Sequence, residues 1–495
     1  MVINRIPTLI LVSLVSLQAS AANIVIQNND GVDEGFNDPN PPLNANQKGN
    51  NPGTTLGEMR LKVFEEAAKV WGGILNSNVA ITVGAQFSEL GCSADSGTLG
   101  SAGTNGSIEG FTGSKPSTAY PIALAESLKN SNINGNAVEI FTTFNSAVDS
   151  GDPDCLGGEG FYYGLDENAP VGTSPLFPVV LHELAHGLGF ASLADFSPDG
   201  SGNFTGAGGF PDVFSRNLLD LDTGKSWDQM NGEERKVSAL NEPDLVWKGA
   251  KVAADSHLHL GSPPELVINT PEAITGIFDV VLGGEPTIVM PENGATGDVV
   301  DGNAFTDIFG DPMDGCVPFN FGLDFAGKVV LFDLPDQDPE TDEGCHVLFL
   351  AKHAQEKNAI GVVIANTDET GLPNVSGQFT TPQITIPYVG AEKSIGTDLR
   401  ANLALANATI RNSLTKFIGE NQGKLMMYAP VTFRQGSSVS HWSLAPSPDL
   451  LMEAFLNRQN FDNTDLTAAA FQDIGWSVNI PGGVVELIYK DGFEN

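Results

Sequence analysis

Residues 174–190 read SPLFPVVLHELAHGLGF. Proline is tolerated in a helix only near its start, where the backbone N–H has no intrahelical partner. Pro175 and Pro178 therefore predict a helix that begins near Pro178. It runs to about Leu188, and Gly189 suits the left-handed position that ends a helix. On that helix His182 and His186 are four residues apart and share a face, so both imidazoles can reach one ion. Glu183 stands beside them, placed to take a proton from metal-bound water and pass it to a leaving amine. Zinc brings the pKa of such water down towards about 7 and polarises a carbonyl. The apolar run Leu176–Leu181 predicts a buried helix rather than a surface helix with two unrelated histidines.

A catalytic zinc usually takes three protein ligands and keeps one position open. The compact extension of the motif would place a third histidine at 192, where the chain has Ser192. The residues alone leave the third ligand open. Asp195 is close in sequence, Glu233 or Glu234 would make a two-His, one-Glu site, and the other histidines are His257, His259, His346, His353 and His441. His257 and His259 alternate on an expected strand or loop and read as surface residues.

Residues 436–455 read GSSVSHWSLAPSPDLLMEAF. HELAHGLGF together with SHWS and a methionine further on resembles the leishmanolysin-like branch of the metzincin zinc metallopeptidases. The resemblance implies an α+β catalytic domain whose third histidine is separated from the active-site helix by a long insertion. By that resemblance His441 is the third ligand, and Met452 forms the methionine turn, an apolar floor beneath the metal. LTAAAFQDIGW, residues 466–476, is similar to the segment that closes the domain. The resemblance covers residues 23–264 and 416–480. The family commonly carries a propeptide, whereas here the catalytic region follows the leader closely, so Cys92 reads as half of a disulfide rather than as a latency switch.

Between these parts the chain changes character. Residues 265–415 hold short β-type runs, GKVVLFDL at 327–334 and GVVIAN at 361–366, around a helical segment at 345–357. That strand–helix–strand order is an α/β module. With Gly315-Cys316, Gly344-Cys345 and Ile386-Pro387 it resembles a protease-associated (PA) domain. The expected architecture is therefore α+β, a metzincin-like catalytic domain interrupted by a PA domain thought to influence substrate access. His346 and His353 lie on the module's helix and read as structural.

The rest of the chain sets the context. At 495 residues it exceeds what one core usually serves. Its 61 acidic and 24 basic side chains give a net charge of −37, which repels nucleic acid and anionic lipid; the peptidase resemblance implies protein or peptide substrates. Residues 1–22 read as a secretory leader: Arg5, an apolar run from Ile6 to Leu17, and Ala19-Ser20-Ala21 for cleavage. The apolar run is too short for a permanent membrane helix, so a secreted protein without stable membrane insertion is expected. Four cysteines fit an oxidising compartment and allow three pairings. Cys92 with Cys155 and Cys316 with Cys345 keeps each pair within one expected domain.

Thr55 to Glu58 has capping-box spacing ahead of a helix over 56–75, and strands are expected near 79–87 and 137–144. Asp199–Asn203 and Asp220–Gly224 resemble fragments of calcium loops without the full ligand set of an EF-hand, so Ca2+ is a weaker expectation than Zn2+. Residues 481–495 form a tail ending VELIYKDGFEN. The rival from another class is a secreted binding or adhesion protein that uses the PA module and keeps a relict zinc site.

Overall fold

The structure, a computed structural model, describes residues 20–197, 200–309, 318–320, 322–335, 347–368, 371–377, 380, 383–456 and 463–479. The chain divides into two compact units: Met1–Gly261 with Gly419–Asn495, and Ser262–Ile418. Both are mixed α/β.

The first unit is built on a four-stranded sheet of β1 (Ile24–Asn28), β2 (Ile81–Ser88), β3 (Gly100–Thr104) and β4 (Ile140–Asn145), in the order β1-β2-β4-β3. β1, β2 and β4 run parallel, and β3 lies antiparallel along β4 at the sheet's edge. The alternating Ile81, Val83, Ala85 and Phe87 of β2 are all buried. Helix α1 (Leu56–Ile74) starts at the expected capping box: the Glu58 N–H donates to Thr55 Oγ1 at 3.2 Å, and the Thr55 N–H donates to the Glu58 carboxylate at 3.3 Å. Met59, Val63, Phe64, Ala67 and Trp71 recur at helical spacing and are fully buried, each large side chain contributing roughly 1.5–3 kcal/mol. Trp71 also donates Nε1–H to the Leu181 carbonyl at 2.9 Å, which fixes the next helix against α1.

That next helix, α2 (Leu176–Leu188), begins two residues before the expected start. Pro175 is its cap and Pro178 its third residue, still among the first N–H positions that have no intrahelical acceptor, so the proline costs no hydrogen bond. Its residues are buried throughout apart from the partly exposed His182. A Cβ on Gly187 would lie 2.3 Å from Ile140 Cγ2, so glycine lets α2 approach β4 this closely.

Several local expectations change. His257 and His259 sit in the last turn of a helix, Ala250–His259, rather than on a strand or loop. Its alanines favour a helix, where residues two apart do not share a face. Ser20, Ala21 and Ala22, expected in the leader, take part in this unit: Ala21 bridges Asn76, and the Ala22 N–H is held by the Gly72 and Leu75 carbonyls. Residues 1–19 and the tail at 481–495 lie outside the described residues. Among the described residues no helix is long and apolar enough to cross a membrane.

The second unit carries an eight-stranded sheet. Ala295–Asp301, Lys328–Asp333, Gly361–Ala365 and Tyr388–Ala391 form its parallel centre. Asn407–Asn412 and Pro264–Thr270 extend it antiparallel. One apolar cluster packs the helix Val347–Glu356 against the sheet, and another holds Ile395 and Leu399 of the helix Lys393–Ala401. Buried His353 lies on the first of these helices. His346, Cys316 and Cys345 fall outside the described residues, so the expected second disulfide does too.

Candidate metal centre

The end of α2 shapes the centre. Gly189 has φ of 121°, a conformation that favours glycine. The chain turns there so that the Phe190 N–H returns to the Ala185 carbonyl at 3.0 Å and the Phe190 carbonyl meets His186 Nδ1 at 2.7 Å. From distant sequence, His182 Nδ1 meets the Leu451 carbonyl at 2.7 Å, and His441 Nδ1 meets the Ser437 carbonyl at 2.7 Å. A carbonyl can only accept, so each Nδ1 carries the proton and each Nε2 presents a lone pair.

The three Nε2 atoms converge. They stand 3.1, 3.1 and 3.2 Å apart around a triangle, lone pair towards lone pair with no donor between them. Nitrogens bound at about 2.0–2.1 Å to one tetrahedral ion lie roughly 3.3 Å apart, so this donor set fits zinc in spacing and chemistry. Among the described residues, these three histidines form the group of His, Cys, Asp or Glu side chains close enough to share an ion. Burial pushes His182 down to about 4 and His186 to about 3, the latter helped by the adjacent His182. Burial and the other two rings hold His441 well below the usual imidazole range. All three stay neutral and able to bind a cation at neutral pH.

Glu183 is buried, and burial raises its carboxyl to about 8 against the pull of a hydrogen bond from the Ala102 N–H. Gly100 on β3 makes room for it, since a Cβ there would lie 3.0 Å from Glu183 Cγ. Met452 is fully buried, and its carbonyl accepts the Trp442 N–H at 2.8 Å, next to His441. The Trp442 ring packs edge-on against Phe190 at 4.8 Å and Trp247 at 5.6 Å, an apolar bed behind the imidazoles. Asp465, at the start of the helix Asp465–Ile474, accepts the Leu451 N–H and so holds the segment that meets His182.

The other candidates for a third ligand are engaged elsewhere. Glu234 closes a capping box on Asn231 and pairs with Lys225 at 2.6 Å, and exposed Glu233 lies 3.4 Å from Lys236. Asp195 accepts from Ser197 and Ser201 in its own loop. Neither glutamate nor Asp195 joins the triangle. Asp220 accepts from Thr223 and Asn241, hydrogen bonds that shape a turn. Asp199 lies outside the described residues. The Cys92–Cys155 disulfide is formed.

The triangle opens on a cleft of about 470 Å³ bordered by Gly97–Ala102 on one side and by Gln435–Ser437 and Leu450–Leu456 on others. Edge strand β3 and the carbonyls of Phe190, Ser437 and Leu451 were not legible in sequence. Glycine and alanine in GSAGT give little strand signal, and backbone acceptors leave no mark on residue identity. Glu453 also lines the cleft; burial raises it to about 7 against a hydrogen bond from the Leu450 N–H at 2.9 Å, with Asp449 and Asp465 adding to the rise.

Comparison with known proteins places part of the chain. No curated protein matches it. Two of the similar solved structures are a zinc aminopeptidase from Bacillus subtilis (16% identity, 33% of this chain and 36% of that chain, TM-score 0.22) and an aminopeptidase from Aneurinibacillus sp. strain AM-1 (18%, 33% and 37%, TM-score 0.20). A third is a subtilisin-like protease from Pseudoalteromonas sp. AS-11 (20%, 31% and 34%, TM-score 0.22). The chain thus spans about a third of the length of these proteins, and scores of that size carry nothing further. Residues 289–399, within the second unit, match the PA domain family, so the chain contains a PA domain.

Proposed function

We propose that the chain is a secreted zinc-dependent endopeptidase of metzincin type, of the leishmanolysin-like branch, that hydrolyses peptide bonds in proteins or peptides. The observation that carries this reading is the triangle of three proton-free Nε2 atoms beside a buried carboxyl at the bottom of an open cleft. His182, His186 and His441 would hold the ion, which when bound supplies polarisation of the scissile carbonyl and acidification of the attacking water. The carbonyls of Leu451, Phe190 and Ser437 orient the rings. Glu183 takes the proton of the attacking water and delivers it to the departing amine. A cation in the triangle favours its ionised form, offsetting the burial that raises it. Met452 serves as apolar packing below the rings.

An extended substrate suits the cleft's border. β3 pairs with β4 on one side and with no strand on the other among the described residues. Part of it, Gly100–Ala102, borders the cleft, so a peptide can lie along it as an added strand. That favours cutting within a chain.

The test is zinc stoichiometry and chelator-sensitive casein hydrolysis on the purified protein, with Glu183→Gln alongside. One zinc per chain in both proteins, with cleavage only in the wild type, is the expected result. Cleavage that survives Glu183→Gln, or a wild type that binds zinc and cuts nothing, counts against the reading.

A further inference from the structure

Glu453 has no part in the chemistry above, yet it lines the same cleft. Its residue is 5% exposed. Oε1 accepts the Leu450 N–H at 2.9 Å, and among the described residues no donor reaches Oε2. Among the described residues no lysine or arginine acts on Glu453; its charged neighbours are Asp449 and Asp465, of the same sign. The described residues lining the cleft include no lysine or arginine. A largely buried carboxylate without a counter-cation among the described residues is costly to leave unmatched, and a cation carrying N–H donors satisfies it.

We propose that Glu453 is a specificity-determining residue that receives a cationic nitrogen of the substrate near the scissile bond, a lysine or arginine side chain or a free N-terminal ammonium. This rests on the peptidase reading of the site. The Glu183 carboxyl is committed to the reaction, so among the described lining residues Glu453 is the carboxylate left to read substrate charge. The overall charge of −37 also attracts basic peptides, but over long range and in a salt-screened way. A contact at Glu453 is local and changes when that residue alone is changed.

The experiment uses the full zinc-loaded chain and peptides that differ only in bearing Lys, Leu or Glu at each position flanking the scissile bond, with N-termini free or acetylated. Glu453→Gln keeps an acceptor for the Leu450 N–H, and Glu453→Lys reverses the charge. The wild type should favour Lys over Leu by about tenfold in kcat/KM, the size of one charge-assisted contact. The ratio should fall to near one in Glu453→Gln and below one in Glu453→Lys. Preference among acetylated peptides assigns the side chain as source; preference confined to free N-termini assigns the ammonium. A Lys-to-Leu ratio unchanged in Glu453→Gln overturns the proposal. Binding of the same peptides to the Glu183→Gln protein by calorimetry decides the matter even if the wild type cuts nothing, a result that would sink only the peptidase reading. Should either Glu453 variant lose its fold by circular dichroism, equal binding of Lys, Leu and Glu peptides to the Glu183→Gln protein overturns it.

Discussion

His182 donates its Nδ1 proton to the carbonyl of Leu451, 2.7 Å away in space and 269 residues away in sequence. Together with the convergence of His441 on His182 and His186, it makes the candidate metal centre a joint product of the unit's two chain segments. His441→Ala should therefore reduce bound zinc from one per chain to a small fraction, while Glu233→Ala and Glu234→Ala leave it at one. Metal analysis after dialysis checks this; retained zinc in His441→Ala would assign the third ligand elsewhere.

Gly189 is the hinge that turns the Phe190 carbonyl onto His186. An alanine there must adopt φ near 121° and bring its Cβ to 3.1 Å from Pro121 Cγ and 3.2 Å from Ile474 Cδ1. Gly189→Ala should lower stability by about 1–3 kcal/mol and weaken zinc binding as well. Urea unfolding with and without zinc measures both; an unchanged midpoint would show that the turn is not held as described.

Gly100 makes room for Glu183 across the edge of β3. Gly100→Ala places a methyl 3.0 Å from Glu183 Cγ and 3.0 Å from Phe144 Cε1. Displacing a catalytic group by a fraction of an ångström costs about tenfold or more in rate. Zinc should stay bound while kcat falls, and a variant as fast as wild type would argue that Glu183 is not held by this contact.

The metal-stripped protein should have a stability maximum near pH 6.5. The histidines have depressed folded values, about 4 for His182 and about 3 for His186, so the unfolded chain takes up their protons first as pH falls below 6.5 and stability is lost. Glu183 runs the other way. Its folded value of about 8 exceeds the ordinary 4.5, so the unfolded chain loses that proton first and stability declines as pH rises through that range towards 8. Below 6.5 the three rings outweigh the raised carboxyls of Glu183 and Glu453, and above it the carboxyls carry the decline. Melting curves across pH in chelator test this, and Glu183→Gln should reduce the decline on the alkaline side, most of all between pH 7 and 8.

Cys92 and Cys155 close a loop with a sequence separation of 63. Cys92 also bridges Gly97, where the border of the cleft begins. Replacing both cysteines by serine should cost roughly 4 kcal/mol by the chain-entropy relation. Equal urea midpoints for the two proteins would rule that out.

Much of this centre was legible in the order of residues. The four-residue spacing of His182 and His186 states their shared face, and Gly189 states the helix end, because a period and a backbone constraint are properties of short sequence. The buried run of α1 was readable for the same reason. His441 was reachable only through likeness to a family, since no local rule links it to a helix more than 250 residues earlier. The helix around His257 was misread because two histidines in alternation imitate a strand when helix-favouring alanines around them are passed over. β3 went unseen because its glycines carry little strand signal, Gly100 being there for closeness to Glu183 rather than for strand propensity. Glu453 looked like any acidic residue in an acidic chain, and only burial set it apart.

The centre's dependence on Leu451 and Ser437 has a consequence in time. Synthesis runs from the amino end, so a growing chain carries His182, Glu183 and His186 while the PA domain is still being made. The third imidazole and two of the three carbonyls that aim the rings do not yet exist. On the proposed reading, a nascent chain interrupted between residues 186 and 441 holds Glu183 without a complete ligand set, and the cell that makes it is spared a half-built protease.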